Sequence, residues 1–113
     1  MDRAQEILKV ASEIADDRKA LQPIGLEVID QSTFCSFIFI VSQPIKAQVR
    51  ALCIEIEKEL SEKDIKPDAI EGQKNGEWVL MDYGDVVINL MHQPIRDYYY
   101  LEDIWRKAKK LEL

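Results

Sequence analysis

Apolar residues recur at helical spacing over the first positions of the chain: Ala4, Ile7, Leu8, Ala11, Ile14 and Ala15. Steps of three and four put them on one stripe, which predicts a helix over residues 3–18. Gln22-Pro23 ends it. Leu26 and Val28 then lie to one side with Glu27 between them, so residues 24–29 read as a strand, followed by a turn at Asp30-Gln31-Ser32. Residues 34–41 are almost wholly apolar, the pattern of a central strand covered on both faces. Ser42 and Pro44 offer a helix start, and Ile45, Val49, Leu52, Cys53, Ile56 and Leu60 form its apolar stripe. Pro67 limits residues 65–71 to a short or edge strand, and Asn75-Gly76 marks a turn. After Gln93-Pro94, Ile95, Tyr98, Tyr99, Leu101, Ile104, Trp105 and Ala108 predict a last helix whose closing lysines suit its C-terminal dipole.

The segment from Trp78 to Met91 carries more information. Two apolar runs flank Gly84-Asp85, and a two-residue hairpin turn there fixes the register. Asp82 then faces Val87, Met81 faces Ile88, Leu80 faces Asn89, Val79 faces Leu90 and Trp78 faces Met91. Alternation sorts these residues onto two faces. One, with Val79, Met81, Tyr83, Val86, Ile88 and Leu90, reads as core. The other, with Trp78, Leu80, Asp82, Val87, Asn89 and Met91, is either covered by the chain or offered to a partner.

The element order is therefore α-β-β-α-β-β-β-α. It predicts a single compact α/β domain over residues 1–113, with a five-stranded mixed sheet and three helices. At 113 residues the chain suits one hydrophobic core. No apolar run approaches the roughly 20 residues of a membrane span, and the N-terminus lacks signal- and transit-peptide character, so a cytoplasmic location is expected. Cys35 and Cys53 fall in apolar runs and read as buried thiols, and with one histidine no metal or cofactor is expected.

The net charge of −6 is unevenly spread. Residues 71–105 hold seven acids and two bases, whereas residues 106–113 hold Arg106, Lys107, Lys109 and Lys110 against Glu112. The acidic hairpin region disfavours a phosphate backbone and suits a basic protein, although charge alone explains no more than solubility.

The run Trp78-Val79-Leu80-Met81-Asp82-Tyr83-Gly84-Asp85-Val86-Val87 closely resembles the signature of the ribosomal silencing factor (RsfS, Iojap-related) family. Gln48-Val49-Arg50-Ala51, Glu71-Gly72, and then Arg96, Tyr99, Leu101, Glu102 and Trp105 match the family's further pattern in order, so the resemblance covers nearly the whole chain. It implies a nucleotidyltransferase-like fold without the activity. It also implies translational repression: binding the large ribosomal subunit through ribosomal protein fourteen and sterically blocking the small subunit. The partner-binding positions it carries over are Trp78, Leu80, Asp82, Asn89 and Met91, all on the second face of the hairpin. Where the family has Asp, Gly and His, this chain has Ser36, Gln43 and Asn89; an asparagine still hydrogen-bonds but does not become a cation.

Two other functions compete. A nucleotidyltransferase needs converging carboxylates and a phosphate-binding loop. Asp82 and Asp85 straddle the turn with side chains to opposite faces and no Gly-Ser motif accompanies them, so no enzyme activity is expected, and Asp85 is assigned to stabilising the turn. A homodimer could instead form through the same open face. Neither a membrane nor a sequence-specific nucleic acid is expected as partner. Tyr98-Tyr99-Tyr100 and Trp105 read mainly as packing groups, and His92 as a strand-end or cap residue.

Overall fold

Helix α1 (Arg3–Asp17) begins at a reciprocal cap: the Asp2 carboxylate accepts from the Gln5 backbone N–H at 2.8 Å, and the Gln5 side chain accepts from the Asp2 N–H at 3.2 Å. Its stripe of Ala4, Ile7, Leu8, Ala11, Ile14 and Ala15 is buried as the spacing requires. The structure is a computed structural model and describes residues 2–113. Strand β1 (Leu21–Glu27) starts earlier than predicted and runs through Pro23. It can do so because the pairing with its neighbour slips between Leu21 and Ile24, where Gln22 has a positive φ of 50°. Such an irregularity is where a strand tolerates proline.

Strand β2 (Phe37–Gln43) leads to α2 (Lys46–Glu62). Ser42 does not cap that helix: Ile45 occupies the cap position without a side-chain hydrogen bond, and Ser42 is buried at the end of β2. Strands β3 (Ala69–Glu71), β4 (Trp78–Asp82) and β5 (Val86–His92) follow. Two short helices come next, α3 (Gln93–Tyr99) and the one-turn α4 (Leu101–Ile104), and then strand β6 (Lys109–Leu111).

The sheet order is β3-β4-β5-β2-β1-β6, with β2 and β5 parallel and every other pair antiparallel. The sheet thus has six strands rather than the expected five. The sixth arises where a continuous last helix was predicted. Tyr100 adopts a left-handed conformation (φ 46°) that ends α3, and the lysines continue as an edge strand beside β1. The prediction that those lysines close a helix is overturned.

Helices α1 and α2 cover one face of the sheet, over a core that includes Phe39, Val41, Val79, Met81, Tyr83, Val86, Ile88 and Leu90. A smaller core lies on the other face, where Ile95, Leu101, Trp105 and Ala108 pack over Leu26, Ile38, Ile40 and Met91. The C-terminal segment therefore roofs β1 and β2 and reaches β5. Ala69 and Glu71 of β3 stay exposed, and Leu80 and Asp82 of β4 half-exposed.

The roof is anchored by Arg96, which is only 2% exposed. Its guanidinium donates to Glu102 Oε2 at 2.9 and 3.1 Å, to the Leu21 carbonyl at 3.1 Å and to Ser42 Oγ at 3.0 Å. A buried guanidinium requires such saturation, because an unpaired charge in the interior is severely destabilising. Arg96 and Glu102 both belong to the resemblance pattern, and the structure gives them this joint task.

Candidate functional site

The hairpin register is the one that Gly84-Asp85 dictates. Trp78 pairs with Met91, Val79 with Leu90, Leu80 with Asn89, Met81 with Ile88 and Asp82 with Val87. Gly84 takes the positive φ (85°) that the turn needs, and the Tyr83 N–H donates to the Val86 carbonyl at 2.9 Å. The carboxylate supporting the turn is Asp82 rather than Asp85: Asp82 Oδ1 accepts from the Gly84 N–H at 2.8 Å. Asp85 contributes its backbone carbonyl, which accepts from the Ser36 and Phe37 N–H groups and ties the β1–β2 loop to the hairpin.

On the core side, Val79, Met81, Tyr83, Val86, Ile88 and Leu90 are all buried, as the alternation demanded. The other side is divided. Trp78, Leu80, Asp82 and Val87 are half-exposed, whereas Asn89 is 4% and Met91 0% exposed. The expectation that Met91 and Asn89 stand open on the surface is corrected for the free chain. Met91 lies under the C-terminal roof, and Asn89 Oδ1 accepts a 2.9 Å hydrogen bond from Trp78 Nε1. That bond holds the indole over β5.

The Trp78 ring meets Tyr99 of α3 with centroids 5.3 Å apart, and Tyr99 meets Tyr98 edge-on at 5.0 Å. These are favourable aromatic geometries. Tyr98 is 80% exposed and Tyr99 53%, so the two tyrosines extend the Trp78 surface outward. Their sequence signal is the triple tyrosine, which read as packing because nothing in the chain indicated that α3 lies beside Trp78.

Seen from solvent, the site is an apolar-aromatic strip (Tyr98, Tyr99, Trp78, Leu80) beside the carboxylates of Asp82 and Glu71. Glu71 stands opposite Leu80 on β3, and Ala69 opposite Asp82. Such a surface suits contact with another macromolecule carrying cations. Among the described residues, no group of three or more His, Cys, Asp or Glu side chains is placed to hold a metal ion. His92 ends β5 and contacts the Pro44 carbonyl through Nε2 at 3.1 Å.

Both cysteines are free and buried. Burial pushes the Cys53 thiol up to about 11, assisted by the Glu57 carboxylate. Burial also raises Cys35, and the negative charge of Asp82 adds to the shift against an opposing hydrogen bond from Ser32. Neither is a poised nucleophile, since that role needs a depressed pKa. A cavity of about 790 Å³ lies away from this site, between α1 and the C-terminal residues Leu111 and Leu113.

Comparison with known proteins places the chain. The family model described as "ribosomal silencing factor during starvation" matches residues 1–113. The chain is 37% identical to the ribosomal silencing factor RsfS of Halalkalibacterium halodurans, over 96% of this chain and 93% of that protein. It is 33% identical to the Bacillus subtilis protein of the same name, over 96% and 92% of the two chains. A crystal structure of a Chromobacterium violaceum protein superposes with a TM-score of 0.87 at 33% identity, covering 100% of this chain and 92% of that one. Agreement in sequence along the whole length and in three dimensions shows that this chain belongs to the ribosomal silencing factor (RsfS) family.

Proposed function

We propose that this protein represses translation by binding the large ribosomal subunit through ribosomal protein fourteen, so that the small subunit cannot join. The observation that carries the reading is the Trp78 strip: a half-buried indole flanked by Tyr99 of α3 and continued by Leu80, edged by Asp82 and Glu71. Trp78, Leu80 and Asp82 touch the partner. Asn89 and Met91 act from beneath, Asn89 by orienting the indole and Met91 by supporting it. Tyr98 and Tyr99 widen the contact.

The chemistry is that of an interface. Tryptophan and tyrosine supply large, rigid contact area, and a half-buried carboxylate takes charge-assisted hydrogen bonds from arginine or lysine. Asp82 keeps Oδ2 available, since its one side-chain hydrogen bond among the described residues uses Oδ1. The partner's basic character matches the acidic balance of residues 71–105. A body of 33 × 33 × 23 Å seated at the joining face excludes the other subunit by volume alone. The role is regulatory rather than enzymatic, carried out in the cytoplasm; among the described residues no helix is long and apolar enough to cross a membrane. A nucleotidyltransferase-like fold without the activity remains part of this reading.

A homodimer is the second reading, favoured by the exposure of Tyr98 beside Trp78. Sedimentation over a dilution series separates the two: a self-used strip loses dimer on Trp78→Ala. The direct test of the first reading is co-sedimentation with separated subunits, followed by addition of the missing one. Binding to the large subunit alone, with fewer joined particles, is the expected result. Equal binding to both subunits, or undiminished joining, contradicts it.

A further inference from the structure

We propose that the β6 edge is a second docking surface, which takes the phosphodiester backbone of RNA. Arg106, Lys107, Lys109 and Lys110 are all exposed and fall within five consecutive residues. On a helix they would complement its dipole; on and beside an edge strand that explanation is gone. Among the described residues Lys107, Lys109 and Lys110 make no ion pair. Arg106 has only Asp103, at 3.4 Å between side chains 70% and 61% exposed, a contact of little energetic weight.

The edge lies at the far end of the sheet from β3, with four strands between them, while α3 borders both surfaces, the Trp78 strip through Tyr98 and Tyr99 and the groove beside β6 through Asp97. Arg106 and Lys110 line one groove of about 290 Å³ with Trp105 and Tyr100; Asp97 and Glu102 line it too, Glu102 with its charge engaged by Arg96. Cations beside rings suit a ribose-phosphate backbone, since the phosphates meet the charges and a sugar meets a ring. Residues 1–105 carry 20 acids against 11 bases and repel phosphate, which confines RNA to this edge and orients the molecule. Contact with phosphate carries no base sequence information. The inference rests on the ribosomal reading only in that RNA would then flank the protein partner.

The test compares parent, Lys107→Ala/Lys109→Ala/Lys110→Ala and Trp78→Ala. Each is titrated against an RNA duplex of about 20 base pairs and against isolated large subunits, from about 50 to 200 mM salt. The parent is expected to bind the duplex, and the lysine variant to lose that binding. On subunits the lysine variant should bind weaker at low salt, with a log–log salt slope smaller by about 1 for each phosphate contact removed. Trp78→Ala should weaken subunit binding while leaving the slope unchanged. Equal duplex binding by parent and lysine variant overturns the proposal, and so does a parent that ignores the duplex but binds polyglutamate. Unimpaired subunit binding by Trp78→Ala, with the lysine variant defective, would instead overturn the Trp78 strip and leave the RNA edge standing.

Discussion

Trp78 Nε1 donates to Asn89 Oδ1 across the β4–β5 pair at 2.9 Å, so a residue almost sealed from water sets the direction of one that is half open. The contact makes position 89 an orienting position. A histidine there could accept from the indole only while its ring is neutral. Asn89→His is therefore expected to make subunit affinity fall as pH drops below about 6.5, while the parent stays flat over the same range. Parallel curves for the two proteins would show that Asn89 does not steer Trp78.

The Arg96–Glu102 pair holds the C-terminal roof in place, with side chains 2% and 19% exposed. Removing the cation leaves the Glu102 carboxylate and the Ser42 oxygen without the guanidinium that donates to them, and takes one of two donors from the Leu21 carbonyl. Arg96→Ala is expected to cost about 3–5 kcal/mol, read as a fall in the chemical denaturation midpoint. Hydrogen exchange should accelerate first in residues 93–111. Uniform acceleration, with the segment no faster than β2, would mean that the anchor is not local.

Two glycines with positive φ separate strain from space. At Gly84 (φ 85°) the nearest group to an added Cβ is Asp68 Oδ2 at 3.6 Å, an ordinary contact. Gly84→Ala should therefore cost about 1 kcal/mol, from backbone conformation alone. At Gly72 (φ 83°) a Cβ would sit 2.1 Å from the Trp78 carbonyl oxygen, an impossible approach. Gly72→Ala should be clearly more destabilising in thermal melts and should also weaken docking by displacing the start of β4. Equal melting shifts for the two variants would contradict this.

Alkaline pH should destabilise the protein through Cys53. Its folded-state pKa is raised from 9.0 to about 11, first by burial and then by Glu57. The folded state thus binds the proton more tightly than the unfolded state. The stabilisation is complete below about pH 9 and is lost as pH rises through about 11, amounting to about 1–3 kcal/mol. Burial raises the Tyr83 phenol as well, in the same direction. Denaturation midpoints measured between pH 8 and 11 should fall less steeply for Cys53→Ala than for the parent; identical slopes would remove Cys53 from the account.

The hairpin was legible because it is local: Gly84-Asp85 and strict alternation on either side set register and faces without knowledge of the rest of the chain. Helices α1 and α2 were legible for the same reason, their stripes being self-contained. What escaped was decided at long range. Strand β6 is three residues long and exists through its pairing with β1, more than 80 residues earlier in the chain. Tyr100 breaks the last helix in a left-handed conformation that no glycine announces. Met91 was rightly placed on the face shared with Trp78, yet its exposure depended on where the C-terminal segment returned. Ser42 looked like a helix cap because its partners, Arg96 and Gln93, are about 50 residues away in the chain.

The most direct measurement is the affinity of Trp78→Ala for isolated large ribosomal subunits, taken beside its denaturation midpoint. A docking strip centred on the indole predicts an affinity loss of roughly 30- to 1000-fold, or about 2–4 kcal/mol, with the fold retained. Binding as tight as that of the parent protein would show that the face bearing Trp78 and Asp82 is not where this protein meets the ribosome.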